Sequence, residues 1–355
     1  MKFVVLASNK APLPFIGREG HYDYENFSLD LRIAPAEAPL GFISEQLSNS
    51  KENWDAVILW RVEWFTFLFE KMADWPIPVI ALFTDWMMKI QKIEIVARFC
   101  NYILHCDHHA VEYQHSLGLK NCEYLQFQTT FSHTKQPPEY HKKDIDISMA
   151  GTCLDVWHGK RQWAQRRLAM ELGKERVIYF RDGGLAEEDY NDLLRRSRLY
   201  LIHTVSSEHV AHIYEAMQAG AVVLIEAEHH NLLYDELLPG IHLETYEQSN
   251  LVQRARRLLD DPEKRIRMAE RAYAATRHWD LLAALQRVAR RLLEIGLPNL
   301  AAQGRSVRQQ DSLERLDLLA PWCQQHYYYS KDIAHELFHQ RAQQVELGAG
   351  TLHGL

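Results

Sequence analysis

At 355 residues the chain is long enough for two domains whose cores need no covalent staples. Its 40 Lys and Arg against 47 Asp and Glu give a net charge of -7, which excludes an overall basic field for nucleic acid and leaves room only for a local patch. Five cysteines (Cys100, Cys106, Cys122, Cys153, Cys323), odd in number and without CxxC spacing, read as buried thiols of a cytoplasmic protein.

The opening run MKFVVLAS is too short for a signal sequence and reads as a first strand at residues 3–7. No apolar run approaches the roughly 18 to 20 residues of a membrane span, so only peripheral attachment to a membrane is left open. Residues 9–40 are less regular. Further strands are expected at 56–60, 79–84, 102–106 and 124–127, with helical patterns at 87–99 and 109–117, the latter stopped by Gly118. Such alternation is the signature of a parallel sheet wrapped by helices. In this half Asp85 and Glu63 follow buried strands, and Asp107, His108 and His109 follow the strand at 102–106. Asp85, His109 and Glu63 are candidates to position an acceptor hydroxyl or take its proton, and helix capping is the other use of Asp85 and Asp107.

Residues 132–143 form a polar break containing Pro137 and Pro138, and a domain boundary is expected there, with one domain over 1–135 and a second over 144–280. The second half repeats the alternation, with strands at 145–151, 177–180, 199–203 and 222–225. Asp144-Ile145-Asp146 matches a metal-binding D-x-D, but it enters its strand at the amino end, whereas ligands of a parallel sheet bind at the carboxyl end. It is expected to be a solvent-facing strand start. His158, Lys160 and Arg161 follow the strand that ends at Gly151 and offer donors for a diphosphate; with Arg166 and Arg167 behind them they also fit a solvated basic helix.

The run SSEHVAHIYEAMQAGAVVLIE, residues 206–226, carries the strongest signal. Val210, Ile213 and Met217 make an inward helical stripe, while Glu208, His212, Glu215 and Ala219 fall on the opposite, non-core side. Ser206 and Ser207 suit the cap of a helix whose N-terminus lies at the carboxyl edge of the sheet, where free N–H groups favour phosphate. Gly220 ends the helix, and residues 221–225 form a buried strand.

The segment Glu215-Ala216-Met217-Gln218-Ala219-Gly220-Ala221-Val222-Val223-Leu224 resembles the E-A-x-x-x-G-x-x-V-(I/L) segment of GT-B glycosyltransferases of the "glycosyl transferases group 1" kind. The resemblance extends in outline over most of residues 1–297, and at the level of motifs over 151–226. It implies an α/β fold of two Rossmann-like domains facing across a cleft, with a helix at 281–297 crossing back to the first domain. It also implies a metal-independent, retaining transfer of sugar from a nucleotide-sugar donor to a hydroxyl acceptor, with no cofactor. Glu215 matches the family's ribose-binding glutamate, and Arg161, with Lys160 beside it, its phosphate-binding basic residue. Donor-binding candidates are therefore Glu215, Glu208, His212, Lys160, Arg161, Ser206 and Ser207, with no metal ligand. The acceptor is left open among a glycan, a lipid-linked sugar, a protein and a small molecule, and the charge balance leads to an expectation of no nucleic acid. This chain has six residues between Glu208 and Glu215 where the family has seven, and His212 where a divergent branch often has Arg.

Residues 298–355 lie outside the resemblance and read as a helical tail. His335-Glu336-Leu337-Phe338-His339 is a literal H-E-x-x-H, which would set two imidazoles on one helix face for zinc. Nineteen histidines make a chance match easy, and Glu346 is the one nearby downstream carboxylate, so the helical tail is preferred. Besides the transferase, two readings stay open: a non-catalytic binding or assembly module of the same fold, and a zinc hydrolase using His335, Glu336 and His339.

Overall fold

The computed structural model describes residues 1–7, 20–23, 28–35, 54–62, 75, 77–84, 86, 100–116, 118–127, 137–151, 159–204, 210–228 and 237–302. The chain divides into two compact units, the first running Met1–Phe127 and resuming at Ala284, the second Gln128–Ala283. Both are α/β and Rossmann-like.

In the first unit the strands are β1 (Lys2–Ala7), β2 (Gly20–Asp23), β3 (Ser28–Pro35), β4 (Ala56–Trp60), β5 (Val79–Phe83), β6 (Tyr102–His105) and β7 (Cys122–Tyr124). They form one sheet in the order β2-β3-β1-β4-β5-β6-β7, parallel except for β2. Every residue of β4, β5 and β6 is buried, which explains why these strands read as continuous apolar runs instead of alternating ones. Strand β3, eight residues long, lies in the stretch expected to be irregular: SLDLRIAP alternates polar and apolar residues, the weaker signal of an outer strand. Strand β7 begins earlier than expected, at Cys122, because the pairing partner sets its limits: Ile103 of β6 faces Cys122. Helix α1 (His108–Ser116) ends before Gly118, whose φ of 80° stops it.

The second unit is built from β8 (Ile145–Ala150), α2 (Gly159–Leu172), β9 (Ile178–Arg181), α3 (Glu187–Arg196), β10 (Ser197–Ile202), α4 (Ala211–Gln218), β11 (Val222–Glu226), β12 (Glu244–Tyr246), α5 (Leu251–Asp260) and α6 (Pro262–Thr276). Its sheet is parallel throughout, in the order β12-β11-β10-β8-β9. Side chains alternate across it as strand geometry requires. Leu199 and Leu201 of β10 pack with Leu168 of α2 and Leu258 of α5 on one face; Tyr200 and Ile202 pack with Ile213 and Met217 of α4 on the other. Because β9 and β10 flank β8 on opposite sides, the connections diverge between β8 and β10. That divergence marks the switch point where open α/β sheets bind ligands, outside the carboxyl ends of the strands.

The amino edge of this sheet is closed by ion pairs. Exposed Asp144 accepts from Arg196 Nε and Nη2 at 3.0 and 2.8 Å. Asp146, expected to face solvent, is instead buried, where it accepts from Val177 N at 2.9 Å and from the Arg198 guanidinium. Lys143, also buried, donates to the carbonyls of Arg195 and Ala219 at 2.8 and 2.9 Å, at the ends of α3 and α4 where carbonyl dipoles gather negative charge. Gly220 follows α4 at φ 75°, and a Cβ there would lie 2.4 Å from Pro138 Cβ.

Helix α7 (Leu281–Ile295) leads the chain back into the first unit and is followed by α8 (Leu297–Ala302). Its seam Leu285, Val288 and Leu292 is buried, and Arg291 Nε and Nη2 grip the two oxygens of Glu123 at 2.7 and 2.8 Å. Asn101 Nδ2 donates to Leu300 O at 3.1 Å. No helix among the described residues is long and apolar enough to cross a membrane. Cys100, Cys106 and Cys122 are buried and form no disulfide. The H-E-x-x-H of the tail lies outside the described residues.

Gly220→Ala is expected to lower stability by about 1–3 kcal/mol or more, since it adds left-handed strain to a collision with Pro138. Urea unfolding checks this, and an unchanged midpoint would contradict the close approach. His105 gives a pH effect. Its ring is fully buried beside Phe83, and burial, partly opposed by the Gln114 amide, lowers its pKa from 6.5 to about 3. Between about pH 6.5 and 3 the unfolded chain binds a proton here that the folded chain refuses, so this contribution to stability is lost as pH falls. In that window His105→Leu should lessen the pH slope of stability by at most about 1.4 kcal/mol per pH unit. Equal slopes in denaturation series at pH 7 to about 4 would speak against it.

Candidate functional site

Polar side chains gather at the carboxyl edge of the second sheet. The register that sets Leu199 beside Ile147 and Tyr200 beside Ser148, carried forward, sets His203 beside Gly151 at the switch point. Arg161, in the first turn of α2, bridges these two strand ends. Its Nε and Nη2 donate to His203 O at 3.1 and 2.9 Å, and its Nη1 would lie 3.3 Å from a Cβ on Gly151. Gly151 therefore leaves room for the guanidinium, and its φ of 136° suits glycine alone.

Beside Arg161 is a buried acidic group. Glu226 closes β11 and is 4% exposed; its Oε1 accepts from Thr204 N at 2.8 Å and from the Thr204 hydroxyl. His203 Nδ1 meets Tyr246 Oη at 2.9 Å and lies 3.9 Å from Glu226 Oε2. Burial lowers the pKa of the His203 imidazole, with Glu226 opposing. Lys160 is partly buried nearby: desolvation lowers its pKa, and the charges of Glu228 and Glu226 pull it back up.

On the other face of the sheet, the first turns of α4 carry His212 and Glu215. Glu215 was expected on a non-core face, yet it is 2% exposed. Helix α3 covers that face: Tyr190 Oη donates to Glu215 Oε2 at 2.8 Å and meets His212 Nδ1 at 2.6 Å, while His212 Nδ1 lies 3.1 Å from the same carboxylate oxygen. Burial and then the Glu215 charge hold the Tyr190 phenol well above its ordinary pKa, so it remains a donor. The hydroxyl of Tyr200 bonds the backbone of Ala150 at the end of β8. Helix α4 itself starts at Ala211, with Val210 at the cap position and no side-chain cap. Ser206, Ser207 and Glu208 lie outside the described residues.

In the first unit, Asp85 and Glu63 also lie outside the described residues. Asp107 caps α1: its Oδ1 accepts from His109 N at 2.8 Å, and its Oδ2 from Trp86 Nε1 at 2.8 Å. His109 is buried at 7% exposure. Arg61, at the end of β4, holds a left-handed φ of 53°, a strained conformation for a non-glycine residue. Among the described residues no three His, Cys, Asp or Glu side chains converge as a metal would require.

Of the residues named from sequence, Lys160, Arg161, His212 and Glu215 lie at this edge; Tyr190, His203, Thr204 and Glu226, which the structure brings beside them, were not named. A signal for two of these was present: His203 and Glu226 are ionisable residues at the carboxyl ends of apolar strands. Tyr190 was not legible, since nothing local in α3 announces that it covers Glu215.

Because Glu215 is buried, Glu215→Ala should destabilise the unit by about 1–3 kcal/mol through loss of its hydrogen bonds with Tyr190 and His212. Met217→Ala should cost about 2–5 kcal/mol by opening a cavity. Chemical denaturation compares the two, and a Glu215→Ala variant as stable as wild type would contradict the Tyr190 contact.

Residues 140–289, which contain this cluster, match the family described as "Glycosyl transferase-like". No curated protein sequence matches. Among solved structures, an alpha-glucosyltransferase in complex with UDP is similar with a TM-score of 0.55 at 8% identity, over 82% of this chain and 100% of that one. The structure of an alpha-glucosyltransferase with UDP and DNA containing an HMU base gives 0.57 at 9% identity, over 82% and 98%. TarM of S. aureus, in a complex with UDP, Fondaparinux and alpha-GlcNAc-glycerol, gives 0.50 at 10% identity, over 71% and 57%. At such identities the likeness is one of fold. Residues 140–289 are thus a glycosyl transferase-like domain in a chain with the GT-B fold of glycosyltransferases.

Proposed function

We propose that this chain transfers a sugar from a nucleoside-diphosphate donor to a hydroxyl acceptor, with the donor bound at the carboxyl edge of the second sheet. One observation carries the reading: the Arg161 guanidinium is fixed on the His203 carbonyl at the switch point, beside the N-terminus of the 14-residue helix α2. As the glycosidic bond breaks, negative charge grows on the leaving diphosphate. A guanidinium already held in place at the positive end of a helix dipole stabilises that charge without reorganising. Lys160 adds a second cation. Glu215 takes the ribose hydroxyls, and Tyr190 and His212 fix its rotamer.

The reading is of a metal-independent, retaining transfer. The metal-independent part is supported by the placement of Asp144 and Asp146, which are held by Arg196 and Arg198 at the amino edge, at the opposite end of the sheet from Arg161; the retaining part follows from the family resemblance alone. UDP is the first donor base to test, since the structurally similar glucosyltransferase and TarM hold it. The net charge of -7 favours an acceptor other than nucleic acid, whose binding rests on phosphate neutralisation. A cytoplasmic location remains part of the proposal.

A thermal-shift panel of nucleoside diphosphates and their sugars should find one nucleotide that raises the melting point, because ligand bound to the folded state stabilises it by mass action. Arg161→Ala should weaken that nucleotide about tenfold or more, the worth of a charge-assisted hydrogen bond, with EDTA making no difference. Exposed Arg166, farther along α2, is the control, and Arg166→Ala should leave affinity unchanged. Equal losses in the two variants would mean a merely basic helix, and binding without donor turnover would point to a non-catalytic module.

A further inference from the structure

We propose that Glu226 receives a hydroxyl of the transferred sugar, an inference that rests on the donor reading above. The residue ends β11 at the carboxyl edge and is 4% exposed. One carboxylate oxygen is fully committed: Thr204 N and the Thr204 hydroxyl both donate to Oε1. The other, Oε2, is buried and has no hydrogen-bond partner among the described residues. His203 does not fill the gap, since its Nδ1 is 3.9 Å away and meets the hydroxyl of Tyr246 at 2.9 Å. A buried carboxylate oxygen without a donor is costly, and proteins seldom leave one so. Its charge is balanced in part by Lys160, which feels both Glu226 and Glu228.

Position identifies the missing donor. Arg161 is anchored on the carbonyl of His203, and Glu226 on the N–H of Thr204, the next residue. The cation assigned to the diphosphate and the unfilled acceptor are thus tied to consecutive residues at the end of β10. In a nucleoside-diphosphate sugar the sugar is bonded directly to the outer phosphate, so its hydroxyls come next to whatever holds that phosphate. A carboxylate accepts from hydroxyls and repels phosphate oxygens. Glu226 therefore discriminates in favour of a polyhydroxyl sugar at this place and against a third phosphate. It is a specificity residue for the donor, separate from Glu215 on the opposite face of the sheet.

The test uses the full chain and calorimetric titration with UDP, GDP and ADP and with UDP-, GDP- and ADP-glucose. Glu226→Gln keeps the shape of the side chain. The Thr204 N–H compels the amide oxygen to face it, which places an NH2 donor where the sugar hydroxyl would donate. For the nucleotide that binds, affinity for the diphosphate should stay within about twofold of wild type, while affinity for its glucose conjugate falls about tenfold. Equal loss for both ligands would make Glu226 a structural prop for Thr204, and no loss for either would make it a bystander; each overturns the proposal. If the variant does not fold, Glu226→Asp, which retains the charge but withdraws the oxygen, carries the same expectation and the same two contrary outcomes. Should no nucleotide bind the wild type, the donor reading itself fails before the question of the sugar arises.

Discussion

The hold of Arg161 on the His203 carbonyl is the constraint about which the second unit's functional edge is arranged. A strand end offers carbonyls that the sheet no longer satisfies, and a guanidinium presents its donors as a planar fork, so two N–H groups can converge on one oxygen. The consequence is positional. A long, mobile side chain becomes a fixed cation at the place where the connections to β9 and β10 part. Gly151 is needed for the same reason, since any side chain there would meet the guanidinium.

The two edges of this sheet solve the problem of buried polarity differently. At the amino edge each charge is answered: Asp144 by Arg196, Asp146 by Arg198 and a backbone N–H, and Lys143 by two helix-terminal carbonyls. Such saturation leaves nothing to offer a ligand and serves to pin α3 and α4 to the strand entering the sheet. At the carboxyl edge Glu226 keeps an oxygen in reserve, and cations stand close by without closing on it. The charges of Asp144, Asp146 and Lys143 are satisfied where they hold the fold together, whereas the unfilled oxygen of Glu226 lies where the topology places a ligand.

Strands β4, β5, β8, β10 and β11 were legible from sequence because strands buried on both faces must be apolar throughout. The three-residue β12 was not, being too short for periodicity to register; it is held in place by its pairing to β11 and by Arg254 and Arg257 on Glu244. At the candidate site, Arg161 and Glu215 were named by motif and position, but the surroundings of Glu215 were misread. Helical periodicity reports which side of α4 faces the sheet; it does not report that α3 covers the flank, and Tyr190 makes that flank interior. Glu226 was passed over because a strand-terminal acid looks like a return to solvent unless the partner on the neighbouring strand, Thr204, is known.

The central claim, that a nucleoside diphosphate sits at the switch point of the second sheet, is tested most directly by a crystal structure of the full chain with its nucleotide. The account predicts the diphosphate beside the Arg161 guanidinium and the N-terminus of α2, beyond the ends of β8 and β10. A nucleotide bound at the amino edge, among Asp144, Arg196 and Arg198, or anywhere in the first unit, would contradict it.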